Sequence, residues 1–148
     1  MQKLNKKVLE IARAENNSNE VLCLMKDGEV TDKYTLGDNN SVTIEQNPDV
    51  SATLRRSYPR SIVLAHNHPN LSYFSFDDIC TFVQYPSIKT MTIVTNQGKV
   101  WHITKKDNFA DGQAIDMVNY IASRSGITHD EAVEESIKAL YTQIERSK

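Results

Sequence analysis

Ser61-Ile62-Val63-Leu64-Ala65 runs into His66-Asn67-His68-Pro69, and past a short loop Ser75-Phe76-Asp77-Asp78 begins a second pattern. The first stretch is an apolar run of strand length, the composition of a strand buried on both faces. Residues 66–74 read as a loop. Ser75 and Asp78 have the spacing that opens a helix, which runs to about Gln84. Downstream, 89–95 and 99–104 read as two strands joined by Asn96-Gln97-Gly98, a hairpin turn. Upstream, Leu4, Val8, Ile11 and Ala12 repeat at helical spacing over residues 3–15. A strand over 20–25, a turn at Lys26-Asp27-Gly28 and a return strand over 29–36 follow. Residues 41–44 read as a further short strand, and Pro48 and Asp49 open a helix through Arg56. The last third is helical. Ala114, Val118 and Ile121 mark one helix that stops near Gly126; Thr128 and Glu131 have capping-box spacing for the next. Val133, Ile137, Leu140, Tyr141 and Ile144 give that helix its apolar stripe. The fold class is α/β, a small mixed or antiparallel sheet with helices around it.

A chain of 148 residues fits one domain and is long enough to bury a core without staples. The 17 basic residues are balanced by 19 acidic ones, for a net charge of −2, so a nucleic-acid partner is not expected. Lys3, Lys6 and Lys7 read as the solvated face of the first helix. Cys23 and Cys80 lie among apolar neighbours and read as small buried residues of a protein kept in a reducing compartment. No Cys-x-x-Cys pair offers a thiolate metal site. The N-terminal residues lack the apolar run of a signal peptide, and no segment is apolar enough to span a membrane. These features point to a cytoplasmic protein.

The chemistry lies in the central stretch. Along a strand, side chains alternate between faces, so His66 and His68 point the same way where the apolar run ends. Two imidazoles so placed can share one metal ion, and Pro69 then turns the chain toward a helix whose first turn brings in Asp78. Two histidines and a carboxylate leave a tetrahedral ion one open position, the pattern of a catalytic rather than a structural zinc site. The same donors suit non-haem Fe(II). Asp77 is a rival ligand, but only Asp78 keeps the Ser-x-x-Asp spacing. A purely structural account, in which Ser75 and Asp78 cap the helix, explains neither histidine. Such a site also needs a glutamate beside the metal-activated water and a donor for the developing oxyanion, which the Ser75 hydroxyl can supply. Tyr73, Phe74 and Phe76 either line the cleft or pack the loop. His102 and His129 read as bystanders.

His-x-His-Pro, a loop and Ser-x-x-Asp together resemble the JAMM motif of the JAB/MPN metallopeptidases, shared by the bacterial RadC proteins. The resemblance implies a JAB/MPN-like domain with a core over about 18–105 and a helical C-terminal extension over about 108–147. It implies Zn2+ held by His66, His68 and Asp78, with Ser75 assisting the transition state. It places the base at the start of an early strand, where Glu20 stands; Glu29 and Glu45 also lie upstream. The activity implied is hydrolysis of a peptide or isopeptide bond in a protein or peptide substrate, a ubiquitin-like conjugate among them. The loop from His68 to Ser75 is one residue shorter than the family spacing, and Asn70-Leu71 stands where RadC proteins have Ser-Gly. The helical DNA-binding segment often preceding RadC domains has no counterpart. A stand-alone JAB-type domain therefore fits better than RadC. A non-catalytic MPN-type interaction module and a RadC-like protein acting in DNA metabolism are the alternatives.

Overall fold

The computed structural model describes residues 1–38, 44 and 47–147. Among them are five α-helices and one six-stranded mixed sheet. In chain order these are α1 (Gln2–Glu15), β1 (Val21–Lys26), β2 (Glu29–Leu36), α2 (Pro48–Arg56), β3 (Ile62–His68) and α3 (Phe76–Gln84). β4 (Ile88–Thr95), β5 (Val100–Lys105), α4 (Asp111–Ser123), α5 (His129–Ala139) and β6 (Ile144–Arg146) follow. The strands lie in the order β2-β1-β3-β4-β5-β6, and only β3 and β4 run parallel among the described strands. That pair is joined through α3, as a parallel connection requires.

Local chemistry accounts for the turns. Lys26 pairs with Glu29, leaving Asp27-Gly28 as a two-residue loop with φ of 51° and 85°. Positive φ at both positions is the type I′ hairpin turn, whose twist matches the strands it joins. At the start of α2 the Asn47 side chain accepts from the amides of Asp49 and Val50, two donors no helical carbonyl can reach.

The sheet is covered on both faces. Leu4, Val8, Ile11 and Ala12 of α1 pack on Val21, Cys23, Ala65 and Val94 on one face. The other face carries the larger core, in which Leu24, Leu64, Phe82, Met91, Val118, Ile137 and Ile144 share one cluster. Burial on both faces is why β1 and β3 read as continuous apolar runs. It also sorts the chemistry by parity: Ile62, Leu64, His66 and His68 face the helical layer, and Val63, Ala65 and Asn67 face α1.

Three expectations change. The strand expected to end at Ala65 continues to His68, because β4 pairs alongside it as far as Thr95 opposite His68. The histidines therefore stand on the sheet and not in a loop. The final helix ends at Ala139, and Ile144 lies on β6, antiparallel to β5. Ile144 is buried and Tyr141 exposed, so the apolar stripe had mixed a helix with a strand. Cys80 is half-buried where full burial was expected; Cys23 is buried, and that burial pushes its thiol up to about 12. The strand expected over 41–44 falls outside the described residues apart from Ile44, which is buried.

Candidate metal centre

His66 and His68 reach the site from the end of β3, and the partner strand supplies Glu20. Leu22 pairs with His66 in the antiparallel β1–β3 ladder, so continuing the register brings Glu20 level with His68. Parity puts Glu20 on the same face as Leu22 and Leu24. It is buried, with Oε1 4.0 Å from His68 Nε2. Glu29 stands at the opposite end of the sheet, paired with Lys26 at the β1–β2 turn. Glu45 lies outside the described residues.

Asp78 arrives from α3. The Ser75 hydroxyl oxygen accepts the Asp78 N–H at 3.1 Å, and Asp78 Oδ2 accepts the Ser75 N–H at 2.8 Å, a closed capping box. The box orients the carboxylate toward the histidines. Oδ1 lies 3.0 Å from His66 Nε2, and Oδ2 lies 3.5 Å from His68 Nε2. Asp77 points to solvent. The two imidazole Nε2 atoms are themselves 3.0 Å apart.

The proton count at this point is informative. His68 Nδ1 lies 2.9 Å from the Ser72 carbonyl oxygen, which can only accept, so Nδ1 carries the hydrogen. In the neutral ring, Nε2 then presents a bare lone pair to the cluster. His66 can contribute at most one N–H to the same place. With His68 neutral, two carboxylate oxygens and the His68 lone pair thus converge with one hydrogen to share. A cation at the centre would resolve that imbalance; protonation of His68, whose Nε2–H then pairs with Asp78, resolves it as well. Nitrogen and oxygen donors at about 2.0–2.1 Å around a tetrahedral ion are separated by about 3.3–3.4 Å. His66 Nε2 lies 3.0 Å from both His68 Nε2 and Asp78 Oδ1, somewhat inside that value, and it is the other carboxylate oxygen, Oδ2, that lies 3.5 Å from His68 Nε2. Donor atoms of Glu20, His66 and His68 also lie within 4.8 Å of one another, so these buried side chains can hold a metal ion. The geometry thus offers two acidic candidates, Asp78 in close contact and Glu20 farther out.

No family model, curated protein or solved structure matches this chain.

The electrostatics separate the two acids. Burial alone would raise the Asp78 carboxyl, but the charges and hydrogen bonds of His66 and His68 outweigh it and hold it far below the usual carboxylate range. Glu20 moves the other way. Its burial raises it from 4.5; the two imidazoles offset only part of that, and Asp78 and Asp38 add to it. Burial of His68 works against its charged form. The hydrogen bond and charge of Asp78, the Ser72 carbonyl and Glu20 prevail, and the ring is raised from 6.5.

Of the surrounding residues, Ser72 escaped the sequence reading, although its carbonyl and hydroxyl both reach His68 Nδ1. The only signal was a short polar residue in the turn after Pro69. His129 Nε2 accepts the first free amide of α3, Phe76 N–H, at 3.2 Å, a contact with the helix backbone. His102 faces away from the site, on the side of β5 opposite Trp101 and Ile103. The aromatic residues of the loop pack: Phe74 is buried, and Tyr73 stands edge-on to Phe74 and Trp101. Among the described residues, no helix is long and apolar enough to cross a membrane.

Proposed function

We propose that this protein is a zinc-dependent hydrolase of amide bonds, of the JAMM/MPN metallopeptidase type, acting on a protein or peptide substrate. The observation that carries the reading is the convergence of His66, His68 and Asp78 at separations of 3.0–3.5 Å, with the buried Glu20 carboxylate next to them. In this reading the first three hold the ion, and Glu20, at 4.0 Å from His68, stands back from it. Two imidazoles and one carboxylate suit zinc and non-haem Fe(II) alike, and the resemblance to the JAMM motif favours zinc. When bound, zinc supplies a Lewis acid that polarises a carbonyl and lowers the pKa of water to about 7.

The chain's own groups do the rest. Glu20 carries the proton: it takes one from the attacking water and returns it to the departing amine. A carboxyl raised by burial suits both halves of that exchange better than an exposed one. Ser72 holds His68 in one tautomer through Nδ1, the outer contact that metal-binding histidines ordinarily have. Ser75 accepts the Asp78 amide with its oxygen, which leaves its hydroxyl hydrogen to donate to the oxyanion of the substrate.

The test is metal content. Protein incubated with zinc and freed of excess should hold one equivalent, and His68→Ala should hold none. Zinc retained in full by His68→Ala removes that residue from the ligand set. Glu20→Ala should keep its zinc and lose roughly 10²–10⁴-fold in hydrolysis of a fluorogenic peptide and isopeptide panel. A wild-type protein that takes up no metal favours a non-catalytic module, in which Ser75 and Asp78 serve as a helix cap alone.

A further inference from the structure

Asn67 lies between the two histidines and is fully buried, yet it faces away from them. Its side-chain amide is committed to three partners. Oδ1 accepts the Val21 N–H at 2.7 Å; Nδ2 donates to the Asn19 carbonyl at 3.2 Å and to Asn96 Oδ1 at 2.9 Å. Val21 and Asn19 are the residues on either side of Glu20. Asn96, in the β4–β5 turn, donates in turn to the Ser18 carbonyl at 2.9 Å.

The placement matters because the β1–β3 pairing stops short of Glu20. Its register runs from Lys26 opposite Ile62 to Leu22 opposite His66. The Glu20 peptide group itself is tied elsewhere: its N–H donates to the Asp38 carbonyl and its carbonyl accepts from Gly37 N–H and Asn16 Nδ2. Those bonds join Glu20 to α1 and to the end of β2, and none of them reaches the histidine strand. The Asn67 amide makes that connection, one N–H···O and one C=O···H–N, in place of the backbone rungs the ladder lacks.

We infer that Asn67 is the positioning residue for Glu20: from the opposite face of the sheet it clamps the backbone on both sides of that residue and so fixes the carboxylate beside His68. The inference rests on the metal-centre reading for its consequence, whereas the clamp stands on its own contacts. A single strand then serves both needs by parity, with His66 and His68 presented to one face and the base held from the other. Asparagine suits the position because only an amide offers an acceptor and two donors in one plane.

Two measurements test this. Hydrogen exchange on the metal-free protein reads the clamp directly. In Asn67→Ala the Val21 amide should exchange about tenfold faster or more, as expected when a buried donor loses its partner. The Leu64 amide, in the middle of β3, should be unchanged. Should Asn67→Ala fail to fold, the exposed position Asn96 gives a second variant, Asn96→Ala, with a smaller acceleration expected at the same amide. Unchanged Val21 exchange in a folded variant overturns the clamp.

The second measurement is a titration with Co2+ alone, followed by visible absorption. Asn67→Ala and Glu20→Gln should each still take one equivalent. They should shift the cobalt affinity by a similar factor, and the double variant should be no further shifted than either single one. Additive shifts would mean that Asn67 supports the fold without acting through Glu20, and would overturn the assignment. Absence of cobalt uptake by the wild type sinks the metal reading instead, and the exchange result still decides the clamp.

Discussion

Lys105→Met should stabilise this protein, and by an amount that depends on pH. Lys105 ends β5, at the end of the sheet away from the histidines, with its side chain fully buried. Burial is the main cause that lowers its ammonium group from 10.5 to about 7; Arg60 adds to the effect and Asp111 opposes it. The folded-state value thus lies below the unfolded one. Between about 7 and 10.5 the unfolded chain holds the extra proton, so stability rises with pH through that window. Below about 7 the charge is buried at full cost. At about 1.36 kcal/mol for each tenfold change in proton affinity, that cost approaches roughly 5 kcal/mol. The faces of Phe82 and Phe109, 5.0 and 5.1 Å from Nζ, offset part of it. About 2 kcal/mol should therefore be regained between pH 6 and pH 9. Methionine has similar length and no charge, and removing Nζ orphans nothing. The Tyr85 carbonyl keeps the Ile88 N–H at 3.1 Å, and Asp111 keeps both guanidinium bonds from Arg60. Lys105→Met should raise stability at pH 6 by about 2 kcal/mol, or roughly 6 °C in Tm for a chain of this size. Urea denaturation of both proteins from pH 6 to pH 10 measures it, and the gain should shrink toward zero at the alkaline end. A variant less stable than the wild type at pH 6, or two proteins with the same pH slope, would refute the argument.

Other perturbations bear on the site. Asp78→Asn keeps an oxygen that can accept the Ser75 N–H, so the helix cap should survive while zinc uptake is lost; stoichiometric zinc in that variant would reduce Asp78 to a cap. Ser75→Ala removes the acceptor for the Asp78 amide and should cost about 1 kcal/mol in thermal or urea unfolding. In peptide hydrolysis the same variant should also lose about 10²-fold in kcat with zinc retained; full activity would exclude the hydroxyl from the reaction. Protons compete with metal for His68, whose pKa is raised from 6.5, so zinc affinity should fall with acidification from near neutral pH. A zinc affinity flat from pH 8 to pH 5.5 would place the metal elsewhere.

Much of this was legible in sequence because local chemistry agreed with the global fold. Asp27-Gly28 reads as a hairpin turn because φ is positive at both positions, and β1 and β3 read as strands because both their faces are buried. The histidine pair was legible from its i, i+2 spacing directly after an apolar strand run. The extension of β3 through His66, Asn67 and His68 was hidden, since nothing in those three residues reads as sheet; the partner that makes them a strand is the distant Thr90–Thr95 segment of β4. Ile144 was misread for a related reason. An apolar residue seven after Ile137 continues a helical stripe, but its place is set by pairing with Lys105, which local spacing does not encode. Asn67 and Ser72 act through partners brought near by the fold. Asp78 is the most instructive position, because sequence spacing presents helix cap and metal ligand as competing explanations. A carboxylate has two oxygens, and here Oδ2 closes the capping box with Ser75 while Oδ1 faces His66. The cap fixes the direction of the side chain, and that direction leads to the histidines. The ordinary rule for starting a helix is therefore the means by which this carboxylate reaches the histidines.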